Sequence, residues 1–226
     1  MVLSIRTSAI LLFARSAQLD ARDKGLTGGE RFIEELTAQT KLKARRTGLP
    51  VFHIDEKSQV GTSFGERLGN AMKSVYEQGI EHLLVIGNDS PDLSTETLKT
   101  AVAQLQAGKT VFGPTPDGGT YLIGINREYF DYKTFLRLPW QEKNLFEALL
   151  HWTISLGGRC KVLSALLDLD APQDCQNWFT PSRFISSRLY QLLLSFISAK
   201  SVLPRAWDHP VFDIQVFTPF NKGSPF

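Results

Sequence analysis

Apolar positions along this chain fall into short continuous runs that alternate with stretches of helical spacing. Ala9-Ile10-Leu11-Leu12-Phe13-Ala14 has the length of a fully buried strand. Thr27-Gly28-Gly29-Glu30 has the S/T-x-x-E spacing of a capping box and predicts a helix running toward Arg46. Gly48-Leu49-Pro50 breaks it, and Val51-Phe52-His53-Ile54 reads as a second strand. A further capping box, Ser63-Phe64-Gly65-Glu66, opens a helix with Phe64, Leu68, Met72, Val75 and Tyr76 on one face and Gly79 as its stop. His82-Leu83-Leu84-Val85-Ile86-Gly87 is the clearest buried strand, and it runs into Asn88-Asp89-Ser90-Pro91-Asp92.

A helix from Ser94 to about Gln106 follows, then strands at Thr110-Val111-Phe112 and, after Gly118-Gly119, at Thr120 to Ile125. A helix from about Asn144 to Leu156 ends at Gly157-Gly158, and Cys160 to Leu163 reads as extended. Strand alternating with helix predicts an α/β fold, a mainly parallel twisted sheet flanked by helices on both faces. The character changes at Pro181. Ile185, Leu189, Leu192, Leu193, Phe196 and Ile197 form an apolar stripe on a terminal helix, and a Pro- and aromatic-rich stretch follows it. The expected organisation is one domain over residues 1–180 and a helical and irregular C-terminal extension over 181–226, packed on the core or on a second copy as a homodimer.

Composition narrows the classes. The 226 residues carry 25 basic and 23 acidic side chains, a net charge of +2, without the concentrated basic face of a nucleic-acid binder. The densest basic run, Lys41 to Arg46, closes a helix, where cations complement the dipole. The two cysteines, Cys160 and Cys175, have neither disulfide-framework nor zinc spacing. No run approaches the roughly 18 apolar residues of a membrane span, and no signal-peptide pattern opens the chain, so the expected location is the cytoplasm.

In an open α/β sheet, ligands bind outside the carboxyl ends of the strands. Asp89 and Asp92 fall at such a place, as do Asp117 and the pair Asp168 and Asp170. Carboxylates are hard oxygen ligands suited to Mg²⁺ or Mn²⁺, which bridge protein to phosphates. Each also has a structural reading: Asp92 as the start of a helix, Asp117 as turn chemistry, Asp168 as a structural group, Asp174 as a first-turn helix acid. The four histidines share no spacing, and no nucleophile elbow, Walker loop or dinucleotide fingerprint is present.

Four ordered segments carry a resemblance. Ile86-Gly87-Asn88-Asp89-Ser90-Pro91-Asp92-Leu93 is similar to I-G-S/T-D-x-P-x-L, and Phe112 to Gly124 is similar to G-P-x-x-D-G-G-Y-Y-L-I-G. Leu138-Pro139-Trp140 is similar to I-P-W, and Leu167 to Asp174 to a closing D-V/I-D-T-P-E-D. Together they resemble an uncharacterised bacterial family of glycosyltransferase-A-like fold, the nucleotide-diphospho-sugar transferase type, whose architecture also serves molybdopterin-guanine dinucleotide and coenzyme F420 guanylyl transfer.

The resemblance implies a metal-dependent transferase acting on a nucleotide-activated small-molecule donor, by glycosyl or nucleotidyl transfer. It implies a divalent cation, Mg²⁺ or Mn²⁺, between Asp89 and Asp170. The loop Asp117-Gly118-Gly119, with Tyr121 beyond it, would lie beside the acceptor or sugar. It names no catalytic base. Relatives carry a basic, glycine-containing loop after the first strand, F-x-K/R-x-P-x-x-G-x-V/A-K-T-R-L. Here the corresponding stretch, Phe13 to Leu26, lacks the Pro, the loop Gly and the K-T-R triplet, and adds Asp20 and Asp23. Arg15, Arg22 and Lys24 stand in for the phosphate-binding cations. The alternative is a degenerate, non-catalytic relative, a weak nucleotide-binding or protein-interaction module. An ordered Arg15–Gly25 loop facing Asp89 favours the enzyme.

Overall fold

The computed structural model describes residues 7–178 and 187–199. At its centre, β1 (Thr7–Phe13) runs parallel to β2 (Val51–Ile54) on one side and to β3 (Ile80–Ile86) on the other. Beyond β3 lie β5 (Thr120–Asn126), β4 (Lys109–Pro114) and β6 (Arg159–Val162), giving the order β2-β1-β3-β5-β4-β6. β4 and β6 are parallel, whereas β5 is antiparallel to both of its neighbours. The reason is the short link from β4 to β5. A tight turn closes with Gly118 N–H donating to the Thr115 carbonyl and Thr115 N–H to the Gly119 carbonyl, each at 3.1 Å, and so few residues can only reverse the chain. The fold is therefore mixed α/β, mainly parallel, with one reversed strand.

Alternation along β1 sorts its side chains to two faces. Leu11 joins Leu68, Met72, Val75, Leu83, Val85, Phe112 and Phe135 in one core, while Ile10 and Leu12 join Leu84, Ile86, Leu98, Val102, Leu105 and Val111 in another. The first core is covered by α3 (Phe64–Tyr76) and α6 (Leu145–Ser155), the second by α4 (Thr95–Gln106). The capping box at Ser63 forms as the spacing predicts, with Ser63 Oγ accepting from Glu66 N–H and the Glu66 carboxylate accepting from Ser63 N–H. The one at Thr27 does not. Helix α2 (Glu30–Arg45) is capped by Gly29 without a side-chain bond, because Gly28, at φ +78°, turns the chain so that Leu26 is buried ahead of it.

Three elements were not anticipated: α1 (Ala17–Asp23), a 3₁₀ turn at Arg127–Tyr129, and α5 (Tyr132–Phe135). Helix α1 buries Ala17 and Ala21 in a third cluster with Leu26, Phe32, Ile33, Leu36 and Leu169. Cys175 and Trp178 of α7 (Pro172–Trp178) and Leu189 and Leu193 of α8 (Ser187–Ala199) complete it. Ile185 and everything after residue 199 lie outside the described residues. Among the described residues no helix is long and apolar enough to cross a membrane.

Candidate functional site

The carboxyl ends of β1 and β3 open on the same side of the sheet, and the chain that leaves each of them carries charge. After β1 the chain passes Arg15 and enters α1, which ends at Lys24; Gly25, at φ +66°, then turns it away. After β3 it passes Asn88 and Asp89. The segment before α7 brings Asp168 and Asp170 alongside, anchored by Leu169 N–H donating to the Asp89 carbonyl at 3.0 Å. Two segments more than 70 residues apart in sequence are thus tied together by a backbone hydrogen bond.

At the centre of this arrangement is the Lys24 ammonium. It donates to Asp89 and lies 3.6 Å from an Asp20 oxygen and 3.5 Å from an Asp170 oxygen. Only 10% of the Lys24 side chain is exposed, against 29% for Asp89 and 60% for Asp170. Burial alone would lower the lysine pKa. The charges of Asp89 and Asp20, the bond to Asp89 and the charge of Asp170 outweigh it, and the net shift is upward. Lys24 is an ammonium at any working pH.

The carboxyls around it feel the opposite pressure. Burial raises the Asp20 pKa, with Asp89 adding to the effect and Lys24 opposing it. The Asp170 pKa is raised too, by the partial desolvation left to a side chain that is 60% exposed and by the charge of Asp89, against Lys24. Asp168 accepts a hydrogen bond from Ser90 Oγ, yet burial pushes it up to about 7, helped by the charges of Asp89 and Asp170. Asn88 is buried behind them and donates to Asp20 at 3.2 Å and to Thr37 at 3.0 Å.

Beside the charges lie two hollows. One, of about 170 Å³, is lined by Phe13, Phe64, Trp140, Asp89 and Tyr121. The other, of about 110 Å³, adjoins it through Phe13, Phe64 and Asp89 and brings in Arg15, Arg67 and Asn88. Trp140 is set by its indole N–H, which donates to the Phe135 carbonyl at 2.9 Å, and by tilted ring contacts with Phe64 and Phe135. The tight contact also needs Gly65, since a Cβ there would sit 2.4 Å from the Trp140 ring.

The residues singled out from the sequence separate into groups. Asp89 and Asp170 meet around Lys24. Arg15 pairs with Asp23, and Arg22 reaches the same carboxylate at 3.2 Å while 72% exposed. The Asp117 carboxylate serves its own turn, accepting from Thr115 Oγ1 and from Gly119 N–H. It also lies near enough to help raise the pKa of Asp170. Gly118, at φ +93°, allows a close approach, but by a neighbouring segment of the chain: a Cβ there would lie 1.7 Å from the Lys143 carbonyl oxygen. Tyr121 donates to the Ser164 carbonyl at 3.0 Å, and burial lifts its phenol to about 12. Asp92 accepts from the Trp178 indole at 3.2 Å, two residues ahead of the Ser94 cap of α4. Asp174 caps α7 by accepting from the N–H groups of Asp170 and Ala171. Arg67 was passed over, because on the sequence it is one polar position of an amphipathic helix and nothing local says which loop it faces.

A divalent ion shared by Asp89 and Asp170 needs carboxylate oxygens at roughly 2.0–2.6 Å. The ammonium stands between those two carboxylates, where such an ion would have to sit. Among the described residues no group of three or more His, Cys, Asp and Glu side chains is arranged to hold a metal ion.

The sequence profile of a bacterial family described as "uncharacterized protein conserved in bacteria" (DUF2064) matches residues 33–142, a span that holds the first three of the four motifs, while the closing one at Leu167–Asp174 lies beyond it. No curated protein matches. Among solved structures, a protein of Desulfovibrio desulfuricans G20 provisionally named a nucleotide-diphospho-sugar transferase is 20% identical, with a TM-score of 0.74 over 84% of this chain and 95% of that one. Two more distant structures are similar at TM-scores below 0.5. One is the 4-diphosphocytidyl-2C-methyl-D-erythritol synthase of Anaerococcus prevotii DSM 20548 (TM-score 0.44, 9% identity, 85% and 99% coverage). The other is a manganese complex of Rv0371c from Mycobacterium tuberculosis H37Rv (TM-score 0.38, 15% identity, 84% and 98% coverage). The Desulfovibrio structure shows the nucleotide-diphospho-sugar transferase fold for this chain.

Proposed function

We propose that this chain is a transferase that takes a nucleotide-activated small-molecule donor across the carboxyl ends of β1 and β3 and transfers its glycosyl or nucleotidyl group. One observation carries the reading: an ordered segment after β1 delivers a desolvated ammonium to three carboxylates, directly beside an aromatic-lined hollow. Crevices at this end of an α/β sheet are where such folds bind ligands. The larger hollow is the size of one ring, so a base or sugar would lie against Trp140 and Phe64 while the diphosphate crosses the smaller hollow toward Arg15 and Arg67. Guanidinium groups suit phosphate because they offer planar, paired donors. Catalysis would then rest on positioning and on charge fixed where the leaving phosphate develops its own. No step is assigned to a divalent ion, because the carboxylates expected to hold it already hold Lys24.

A second reading has its own observation. Arg15 is neutralised by Asp23 and Lys24 by Asp89, so two of the loop's three cations are committed within the chain and the third is largely in solvent. That pattern fits a non-catalytic relative acting as a binding module. Thermal-shift titration with nucleoside di- and triphosphates and nucleotide sugars separates the two, since a ligand of the native state raises its melting temperature. The transferase reading expects one nucleotide class to raise it, with the apparent Kd weakened about tenfold or more in Arg67→Ala, the loss of a charge-assisted contact. No response to any nucleotide at millimolar concentration would favour the non-catalytic relative, acting through protein contacts.

A further inference from the structure

We infer that Lys24 is the site's resident cation, occupying the place between Asp89 and Asp170 that a divalent ion would otherwise take. The inference concerns the cation alone and holds whichever group the site transfers. Three carboxylates facing one cleft repel one another, and in a partly desolvated setting such repulsion is strong. Something positive must offset it. The only cation the structure places within 3.6 Å of all three is Lys24 Nζ, among the described residues.

The ammonium is also fixed by packing rather than offered by a free loop. Lys24 closes α1, its N–H donating to the Asp20 carbonyl at 3.0 Å, and Asp20 lies one turn back on the same face. Ala17, Ala21 and Leu26 on either side are buried against Leu36, Leu169 and Cys175. Moving the ammonium out of the cleft would leave Asp20, which is buried, without its ion pair. Swinging it aside for a metal therefore has a cost that a solvent-exposed lysine would not incur.

The experiment is a titration of the full-length, metal-stripped protein with MnCl₂ and no nucleotide, reading free Mn²⁺ by electron paramagnetic resonance. Wild type is expected to bind no Mn²⁺ below roughly millimolar concentration, since the ammonium and the ion compete for one pair of carboxylates. Lys24→Ala should take up one equivalent at least tenfold more tightly. Adding Asp170→Asn, an exposed position, should remove that gain. Lys24→Arg, which keeps the charge, should behave as wild type. Wild-type binding at micromolar Mn²⁺ that disappears in Asp170→Asn would overturn the inference. So would a folded Lys24→Ala, checked by circular dichroism, that gains nothing. If Lys24→Ala does not fold, the comparison of wild type with Asp170→Asn still decides the matter.

Discussion

Asp168 illustrates how one carboxyl in this cleft is tuned. Its pKa stands at about 7 in the fold against 3.8 for a free aspartic acid, chiefly because it is buried. A raised value means that the protonated form is the one the fold prefers. The stabilisation is complete below about pH 4 and is lost as pH rises through about 7. Wild type should therefore lose on the order of 1–2 kcal/mol relative to Asp168→Asn between about pH 5 and pH 8, after allowance for solvent screening. Urea midpoints at the two pH values measure it, and parallel curves would show that Asp168 does not titrate in this range. The candidate site was partly readable at this scale. Asp89 and Asp170 stand out because each follows a strand or apolar segment. The Asp20–Lys24 spacing of one helical turn was visible too, but without the helix it had no geometric meaning. Arg67 needed the tertiary fold.

At the scale of elements, the turn between β4 and β5 decides the direction of β5, and Gly118 is the residue it depends on. Gly118→Ala places a methyl against the Lys143 carbonyl in a backbone conformation that alanine disfavours, with Phe146 N–H bonded to the Gly118 carbonyl at 3.0 Å just beyond. Such a change should cost about 2–4 kcal/mol and be read as a lower urea midpoint. An unchanged midpoint would mean that the segment before α6 shifts freely. Strands β1 to β5 and helices α2, α3, α4 and α6 were legible because long apolar runs and helical stripes mark them. The helix α1 was not, since its buried face consists of two alanines and a shared aspartate. Nor was the reversal of β5, which depends on a five-residue link rather than on any periodicity.

For the molecule as a whole, α8 bears on where the fold ends. Leu189 and Leu193 are buried against α2 with Phe32, Ile33 and Leu36, and we propose that this helix is part of the folding unit that supports α1 and hence Lys24. Leu193→Ala should then destabilise the entire chain by about 2–4 kcal/mol, in one cooperative transition seen alike by fluorescence and circular dichroism. Two separate transitions would make the C-terminal helix an independent appendage.

The outermost strand, β6, has a different consequence. It is four residues long, with Arg159 and Lys161 exposed and only Cys160 turned partly inward. Among the described residues β6 ends the sheet, so its free backbone edge is a template on which a strand of another molecule could pair. Two cations on four residues, with β4 alone as a partner, make that edge short and repulsive to a second copy of itself. At this edge, though not at the β2 edge on the other side, the two cations thereby oppose pairing with the same strand of a second copy.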